Sequence, residues 1–314
     1  MRDVNIEAKM RLGMIADTPV EISSKFDHIK ITKTGINVVR EINGCASRNS
    51  INRSNGPAYE RLLIMQSGLQ CDSSPESVTI ALPGKDCPRP PESSGYIFSH
   101  ARLADSNSSG LVQDHWFIYK NSTHSIRHPD LREVPFSSKR PSAVWRGKNT
   151  GRGDINHNKN KIARQQFCDY YTGSTLIDSK IVSHYGHEEA IKMHDMSSDY
   201  KYLIFLEGND TGSAVYWTFH NRNITLMPVG RKWHSPWDIY IKPEVHYIPF
   251  NYTITETGVV TDLEEKINWC EDHPKECEEI INNANDLSDE MLNVETESKV
   301  LREMFRIYND NIIL

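Results

Sequence analysis

A glycine-containing polar loop separates two apolar segments in the second half of the chain. It occupies residues 207–213 and follows the apolar run from Leu203 to Leu206. Glycines let a backbone approach a ligand closely, and the N–H groups at the start of a helix attract anions such as a diphosphate. Since a helix is predicted over Ala214 to His220, the loop is a candidate anion site, and an ordinary turn of an α/β fold is the alternative. The candidate ligands are Gly208, Asn209, Asp210, Thr211, Gly212 and Ser213.

A second polar loop follows a strand predicted over Ala143 to Trp145. Residues 146–154 bring three cations and three glycines directly after this strand. Guanidinium groups offer paired donors that fit phosphate oxygens. Arg164, on a helix predicted over Lys161 to Tyr171, either points back to the same site or is solvated. The candidate phosphate ligands within the loop are Arg146, Gly147, Lys148, Thr150 and Arg152.

An aspartate follows an apolar strand in the first half of the chain. Asp86 lies between Gly84 and Pro88, just beyond a strand predicted over Val78 to Leu82. A carboxylate at the carboxyl end of a strand can reach into a cleft and act as a general base. The alternative is an aspartate that only forms a turn.

The sequence offers few ligands for a metal ion. His184, His187 and His194 form a loose group, but no acidic residue stands at a recurring metal-site spacing. Cys87 lies beside Asp86, yet the chain lacks a Cys/His signature of nucleophilic catalysis. It also lacks the Asp-x-Asp pair with which one large class of nucleotide-sugar enzymes holds a divalent ion. We therefore expect no metal and no cofactor, with diphosphate charge neutralised by side-chain cations and a helix N-terminus.

The composition is typical of a soluble globular protein, with 38% hydrophobic and 25% charged residues in 314. The net charge of −6 argues against a nucleic-acid partner. No stretch approaches the ~18 apolar residues of a membrane span, and the N-terminus lacks the apolar core of a signal peptide. Six cysteines without C-x-x-C spacing favour free thiols and a cytoplasmic location, and a secretory protein without its signal is the alternative.

The order of the predicted elements indicates an α/β protein of two domains. Strands alternate with helices in the second half, which is the pattern of a parallel sheet covered on both faces. The polar segment 137–141 marks the boundary between residues 1–140 and 141–295. A helix predicted over 296–314 can pack back on the first domain. The first domain is predicted to contain strands at 29–32, 38–39, 78–82 and 96–99 and a helix near 59–66.

Two further helix starts are predicted after the sheet. Thr261 and Glu264 have the spacing of a capping box, for a helix that runs through Trp269. Pro274 can occupy the first position of the next helix, which is predicted to end near Asn285.

Several segments resemble, in this order, the capsule-associated, Rumi-type glycosyltransferases (glycosyltransferase family 90). The resemblance covers roughly residues 25 to 290, and its C-terminal segments are the more specific ones. The segments are IKITKTGINVVRE (29–41), VTIALPGKDCP (78–88), AVWRGKNTGRGD (143–154), YKYLIFLEGNDTGSAVYW (200–217), KPEVHYIPF (242–250) and TDLEEKINW (261–269).

This resemblance implies a GT-B fold, in which two Rossmann-like domains face an interdomain cleft. It implies an inverting, metal-independent transfer of xylose or glucose from a UDP-sugar to a hydroxyl of a glycan or glycoprotein, which forms a β-linkage. The donor would lie on the second domain and the acceptor against the first. Asp86 falls on the family's catalytic aspartate, and the two polar loops fall on its UDP site.

One departure from the family concerns the diphosphate. Animal members carry Ser-x-Arg in the second loop, whereas this chain has Ser213-Ala214-Val215. Arg146, Arg152 or Arg164 would have to replace that arginine.

Two other classes of function stay open from the sequence. A non-catalytic glycan- or nucleotide-binding module would keep the same fold and would be favoured if Asp86 were distant from the cleft. A metal-dependent phosphate-ester hydrolase would lose its activity to a chelator.

Overall fold

The computed structural model divides the chain into two compact units. The first unit comprises residues 1–125, 232–239 and 290–314, and the second comprises residues 126–231 and 240–289. The predicted boundary at residue 140 differs from this division, which assigns residues 126–140 to the second unit. The structure describes residues 3–22, 28–34, 36–40, 57–81, 96–106, 109–113, 132–150, 163–182, 193–208, 210–212 and 214–313.

Eight helices and sixteen strands are formed by the described residues. None of these helices has the length and apolar character needed to cross a membrane. The helices are α1 (Val4–Leu12), α2 (Pro57–Leu69), α3 (Ala163–Tyr170), α4 (Met193–Asp199), α5 (Ala214–Trp217), α6 (Leu263–Asp272), α7 (Pro274–Met291) and α8 (Val294–Asn311). The strands are β1 (Val20–Glu21), β2 (His28–Thr32), β3 (Ile36–Arg40), β4 (Ser77–Ala81), β5 (Ile97–Ser99), β6 (Arg102–Leu103), β7 (Ser109–Leu111), β8 (Arg140–Gly147), β9 (Ile177–Ile181), β10 (Tyr200–Ile204), β11 (Ile224–Pro228), β12 (Trp233–His234), β13 (Ile248–Phe250), β14 (Tyr252–Thr255), β15 (Gly258–Thr261) and β16 (Ile312–Ile313).

The second unit is built on a five-stranded sheet in the order β13-β11-β10-β8-β9, and every pairing in it is parallel. Ala143 and Trp145 lie on one face, in a single apolar cluster with α3, α6 and α7. Val144 and Leu203 alternate with that face and are each 1% exposed, so the opposite face is covered as well. The predicted parallel sheet, with both faces buried, is therefore confirmed for this half of the chain.

The first unit has a different strand arrangement. Its three-stranded sheet, in the order β3-β2-β4, is antiparallel, while β5 and β7 form a separate parallel pair. Only three residues, 33–35, separate β2 from β3, and so short a connection permits antiparallel pairing alone. The described strands of this unit thus differ from the Rossmann-like domain that the family resemblance implied. The two-domain GT-B arrangement remains a prediction.

Helix α8 is part of the core of the first unit, where it packs on α1 and α2. The helices approach closely at Gly68, since a Cβ there would lie 2.6 Å from the Cβ of Leu301. Arg11 of α1 donates to both carboxylate oxygens of Glu297 of α8, at 2.6 and 2.8 Å, and pairs with Glu7 at 2.5 Å. All three charged side chains are fully buried. Removing one partner of such a buried pair costs about 3–5 kcal/mol, so this contact joins the two ends of the chain firmly.

Two predicted helix features need correction. The helix predicted over residues 214–220 ends at Trp217, and Asn221 donates to the carbonyl of Trp217 just after it. A single turn of four residues carries little of the dipole that a long helix offers to an anion. The predicted capping box is also wrong, because the N-cap of α6 is Asp262, whose carboxylate accepts from the backbone and side chain of Asn251.

Lys139 is a buried amine at the start of β8. Its Nζ donates to the carbonyl of Arg222 at 2.7 Å and to Oδ1 of Asn223 at 3.0 Å. Burial lowers the pKa of Lys139 to about 7, and the nearby Arg222 lowers it further while Glu278 opposes the shift.

We expect Lys139 to make the free energy of unfolding depend on pH above pH 7. Its pKa is 10.5 when unperturbed and about 7 in the folded protein, so the unfolded chain binds more protons between these values. The contribution of Lys139 to the free energy of unfolding therefore rises with pH from 7 to 10. In Lys139→Met that rise should be smaller by about 1–3 kcal/mol in urea titrations. Lys30→Met, at an exposed strand position, is the control, and an equal rise in all three proteins would contradict this account.

Candidate functional site

The two predicted ligand loops leave the same edge of the parallel sheet. One follows β8, which ends at Gly147, and the other follows β10, which ends at Ile204. Because β8 and β10 are hydrogen-bonded parallel neighbours, their carboxyl ends lie side by side. Ligands of open α/β sheets bind in the crevice outside this edge. The structure thus places the two loops side by side.

Arg164 of α3 holds both loops. Its Nη2 donates to the carbonyl of Leu206 at 2.7 Å, and its Nε donates to the carbonyl of Glu207 at 3.0 Å. Its Nη1 donates across to the other loop, to the carbonyl of Lys148 at 3.1 Å and to Oγ1 of Thr150 at 2.9 Å. The planar fork of a guanidinium suits such a set of acceptors. These contacts make Arg164 a positioning residue for the two loops, and its assignment as a diphosphate ligand stays a prediction.

Gly208 is required by this arrangement. A Cβ at this position would lie 2.9 Å from Nη2 of Arg164 and 3.0 Å from Oγ1 of Thr150. The first distance is shorter than real Cβ contacts and the second is tighter than most of them, so the Arg164 fork would have to shift. The glycine lets the loop backbone lie directly against the Arg164 fork.

The loop after β10 is also folded on itself. The N–H of Gly208 donates to the carbonyl of Asp210 at 3.1 Å, and the N–H of Gly212 donates to the Asp210 carboxylate at 2.7 Å. Gly212 has a φ of +71°, which an L-residue adopts only at a cost. Thr211 is fully buried, and its Oγ1 has no hydrogen-bond partner in the described part of the chain. The described residues of this loop thus form a compact turn held by Asp210.

Arg146 lies at the same edge but is engaged with β9. Its Nη2 pairs with the Asp178 carboxylate at 2.7 Å, and its Nη1 donates to the carbonyls of Trp145 and Asp178 at 2.8 and 2.7 Å. Burial raises the pKa of Asp178, but hydrogen bonds from Arg146 and Tyr200 outweigh it and hold that pKa below its usual value. The Arg146 side chain is only 2% exposed. Its assignment as a diphosphate ligand stays a prediction, and its observed partner is Asp178.

The remaining predicted site residues fall into two groups. Lys148 is exposed beside the Arg164 fork, and a Cβ on Gly147 would collide with the ring of Trp145. The others lie outside the described residues, so their roles stay predictions: Asp86, Arg152, Asn209 and Ser213, together with Cys87, His184 and His187.

Two charged residues that contact these elements are absent from the predicted site residues. Asp178 lies on β9, whose sequence Ile-Asp-Ser-Lys-Ile has polar residues at its centre and no clear strand pattern. Arg231 follows β11 after Gly230, and its guanidinium lies 5.8 Å from the ring centre of Phe205. The turn at Gly230, with a φ of +68°, is the only sequence signal for its position.

Groups of three or more His, Cys, Asp or Glu side chains that could hold a metal ion are absent from the residues that the structure describes. Since Asp86 and two of the three histidines singled out above lie outside those residues, the expectation of a metal-free site is not tested by this observation.

Comparison with known proteins identifies the family. The sequence profile described as glycosyl transferase family 90 matches residues 119–311. An O-glucosyltransferase LpsA of Dichelobacter nodosus is 27% identical over 183 residues, which are 55% of this chain and 51% of that protein. An uncharacterized protein 027R of Frog virus 3 (isolate Goorha) is 33% identical over 88 residues, 26% of this chain and 8% of that protein. The chain thus spans about half the length of the first relative and a small part of the second.

The profile match begins before β8 and extends through α8, so it includes both loops of the candidate site. It covers more than half of the 314 residues. The chain therefore belongs to glycosyl transferase family 90.

Proposed function

We propose that this protein transfers glucose or xylose from a UDP-sugar to a hydroxyl of a glycan or glycoprotein, with inversion at the anomeric carbon and formation of a β-linkage. The observation that carries the proposal is the pair of loops after β8 and β10, held by the single Arg164 fork at the carboxyl edge of a parallel sheet. Family membership supplies the reaction class. The name of the bacterial relative favours glucose as the sugar.

The donor diphosphate would lie against the backbone of the two loops. Arg164 is bonded to four acceptors of these loops, and Arg146 is paired with Asp178. The exposed Lys148 and, by sequence, Arg152 are then the cations that can approach the leaving group. The N–H groups of Gly208 and Gly212 already donate within the turn to Asp210, so the turn would contribute a fixed backbone surface rather than these two donors.

Asp86 would act as the general base. In an inverting transfer, a carboxylate removes the proton of the acceptor hydroxyl while its oxygen attacks the anomeric carbon and UDP departs. The base and the donor-binding loops stand in different parts of the chain, so a change at Asp86 can be separated from a change in UDP binding. We propose that no metal ion takes part, because the chain has no Asp-x-Asp pair and offers cations at the loops instead.

A donor screen tests the proposed function. Hydrolysis of UDP-glucose, UDP-xylose, UDP-galactose and UDP-glucuronate would be measured with and without EDTA. We expect turnover of UDP-glucose or UDP-xylose that persists in EDTA. Activity that is lost in EDTA and restored by Mn²⁺ or Mg²⁺ would overturn the metal-free mechanism, and no turnover or binding of any UDP-sugar would overturn the proposed donor class.

Asp86→Asn should separate catalysis from binding. The amide cannot accept the acceptor proton, so transfer should fall by ~10²-fold or more. UDP affinity, measured by calorimetry, should stay close to that of the wild type. A variant that transfers normally, or that loses UDP binding instead, would show that Asp86 is not the base.

Arg164→Lys should show whether Arg164 acts through its set of hydrogen bonds or only through its positive charge. Lysine keeps the charge but cannot reach four acceptors on two loops, so UDP affinity should fall by ~10-fold or more. Hydrogen exchange of the amides at 148–150 and 206–208 should become faster even without UDP. Arg140→Lys, on the same strand as the first loop but at its other end, is the matched control. Wild-type affinity and exchange in Arg164→Lys would contradict the positioning role.

A further inference from the structure

A groove lies beside β13, the outer strand of the same sheet, which is two strands away from β10 and three from β8. It has a volume of about 740 Å³ and is formed by the segment that enters β13, by α6 and by α7. Strands β11 and β10 stand between β13 and β8, and none of the described residues that line the groove belongs to the loops after β8 and β10. The groove is therefore separate from the candidate donor site.

The floor of the groove is apolar and partly open to solvent. Ile248, Pro249 and Ile280 line it, and Val245 and Trp269 stand at its surface with 39% and 38% exposure. The Trp269 ring stacks on the ring of His273, with centroids 4.4 Å apart and planes 11° apart. The His273 ring therefore covers one face of the indole. Trp269 and Val245 thus form an exposed apolar surface, and its burial by a partner would be energetically favourable.

The rim of the groove is acidic. Glu244, Glu265, Glu276 and Glu279 line it against a single lysine, Lys266. Among the described residues none of these four carboxylates has an ion-pair or hydrogen-bond partner for its side chain. Some other carboxylates of the same helices are paired, as Glu271 is with Lys201 and Glu278 with Arg222. Four carboxylates without such a partner thus surround the apolar floor.

We propose that this groove binds a basic, apolar segment of a protein partner. Apolar side chains of the partner would cover Val245 and the floor beneath it, and its lysines or arginines would reach the rim carboxylates. A cation placed over the indole of Trp269 would add a cation–π contact. A basic, apolar segment thus complements both the apolar floor and the acidic rim of the groove.

The charges favour this occupant over two others. A second copy of this chain carries a net charge of −6, so an acidic rim would repel most of its surface. A neutral glycan could stack on Trp269, but it would leave four carboxylates around the groove without a cation. A basic segment would neutralise the four carboxylates and bury the apolar floor at the same time.

Calorimetric titration with two defined peptides tests the proposal. The first is a 12-residue peptide of leucine and lysine at helical spacing, and the second has glutamate in place of every lysine. We expect the lysine peptide to bind and the glutamate peptide not to bind. In Glu276→Gln/Glu279→Gln the affinity for the lysine peptide should fall by about 3–10-fold, and in Trp269→Ala by about 5-fold. The matched control, Glu133→Gln/Glu256→Gln, removes two exposed carboxylates outside the groove and should bind within twofold of the wild type.

Four outcomes would overturn the proposal. These are no binding of the lysine peptide, equal binding of both peptides, equal losses in the groove and control variants, and a wild-type affinity in Trp269→Ala. Self-association in sedimentation that Trp269→Ala abolishes would assign the groove to a second copy, and binding of maltohexaose that Trp269→Ala abolishes would assign it to a glycan. UDP titration of the same variants should be unchanged, so failure here is distinguishable from failure of the donor-site assignment.

Discussion

The candidate site depends on one guanidinium group. Arg164 reaches from the first turn of α3 to acceptors on two loops that follow two different strands. Neither loop has regular secondary structure of its own at these contacts, so their mutual spacing is set by this side chain and by Gly208 beneath it. A polar loop without such a contact would fluctuate among conformations, and binding would have to meet the entropy cost of ordering it. Here the Arg164 contacts order both loops when the unit folds, so less conformational entropy should be lost on binding.

The arginines in the described part of the chain are mostly engaged in internal contacts. Arg11 is enclosed by Glu7 and Glu297, Arg146 is held by Asp178, and Arg164 by loop carbonyls. The proposed diphosphate donor would therefore meet Lys148 before it met an open guanidinium in the described part of the chain. In the proposed function, affinity for the donor depends on loop conformation as well as on charge, and a lysine at position 164 would keep the charge but lose the fork.

Much of the second unit could be predicted from the sequence, and the reasons are local. The apolar runs at Val144 and Leu203 are long enough to indicate buried parallel strands, and the glycines at 208 and 212 indicate a loop. Strand β9 was missed because its centre is polar, and α5 was predicted too long because Asn221 caps its end. The role of Arg164 could not be predicted from its position in the sequence. The same position on a helix suits an arginine that is exposed to water and one that is bonded to loop carbonyls. The antiparallel sheet of the first unit required pairing information that apolar periodicity does not contain.

The Arg11–Glu297 pair has a consequence for the order of folding during synthesis. The partners are separated by 286 positions, and the core of the first unit needs α8 residues as late as Tyr308. All five strands of the second unit's sheet, by contrast, are in the chain once Phe250 has been added. A ribosome thus releases the segments of the second sheet while the first unit still lacks its last helix. Helices α1 and α2 are thus made long before the helix that encloses them, and until α8 follows, Arg11 and the apolar faces of both helices lack their partner surface.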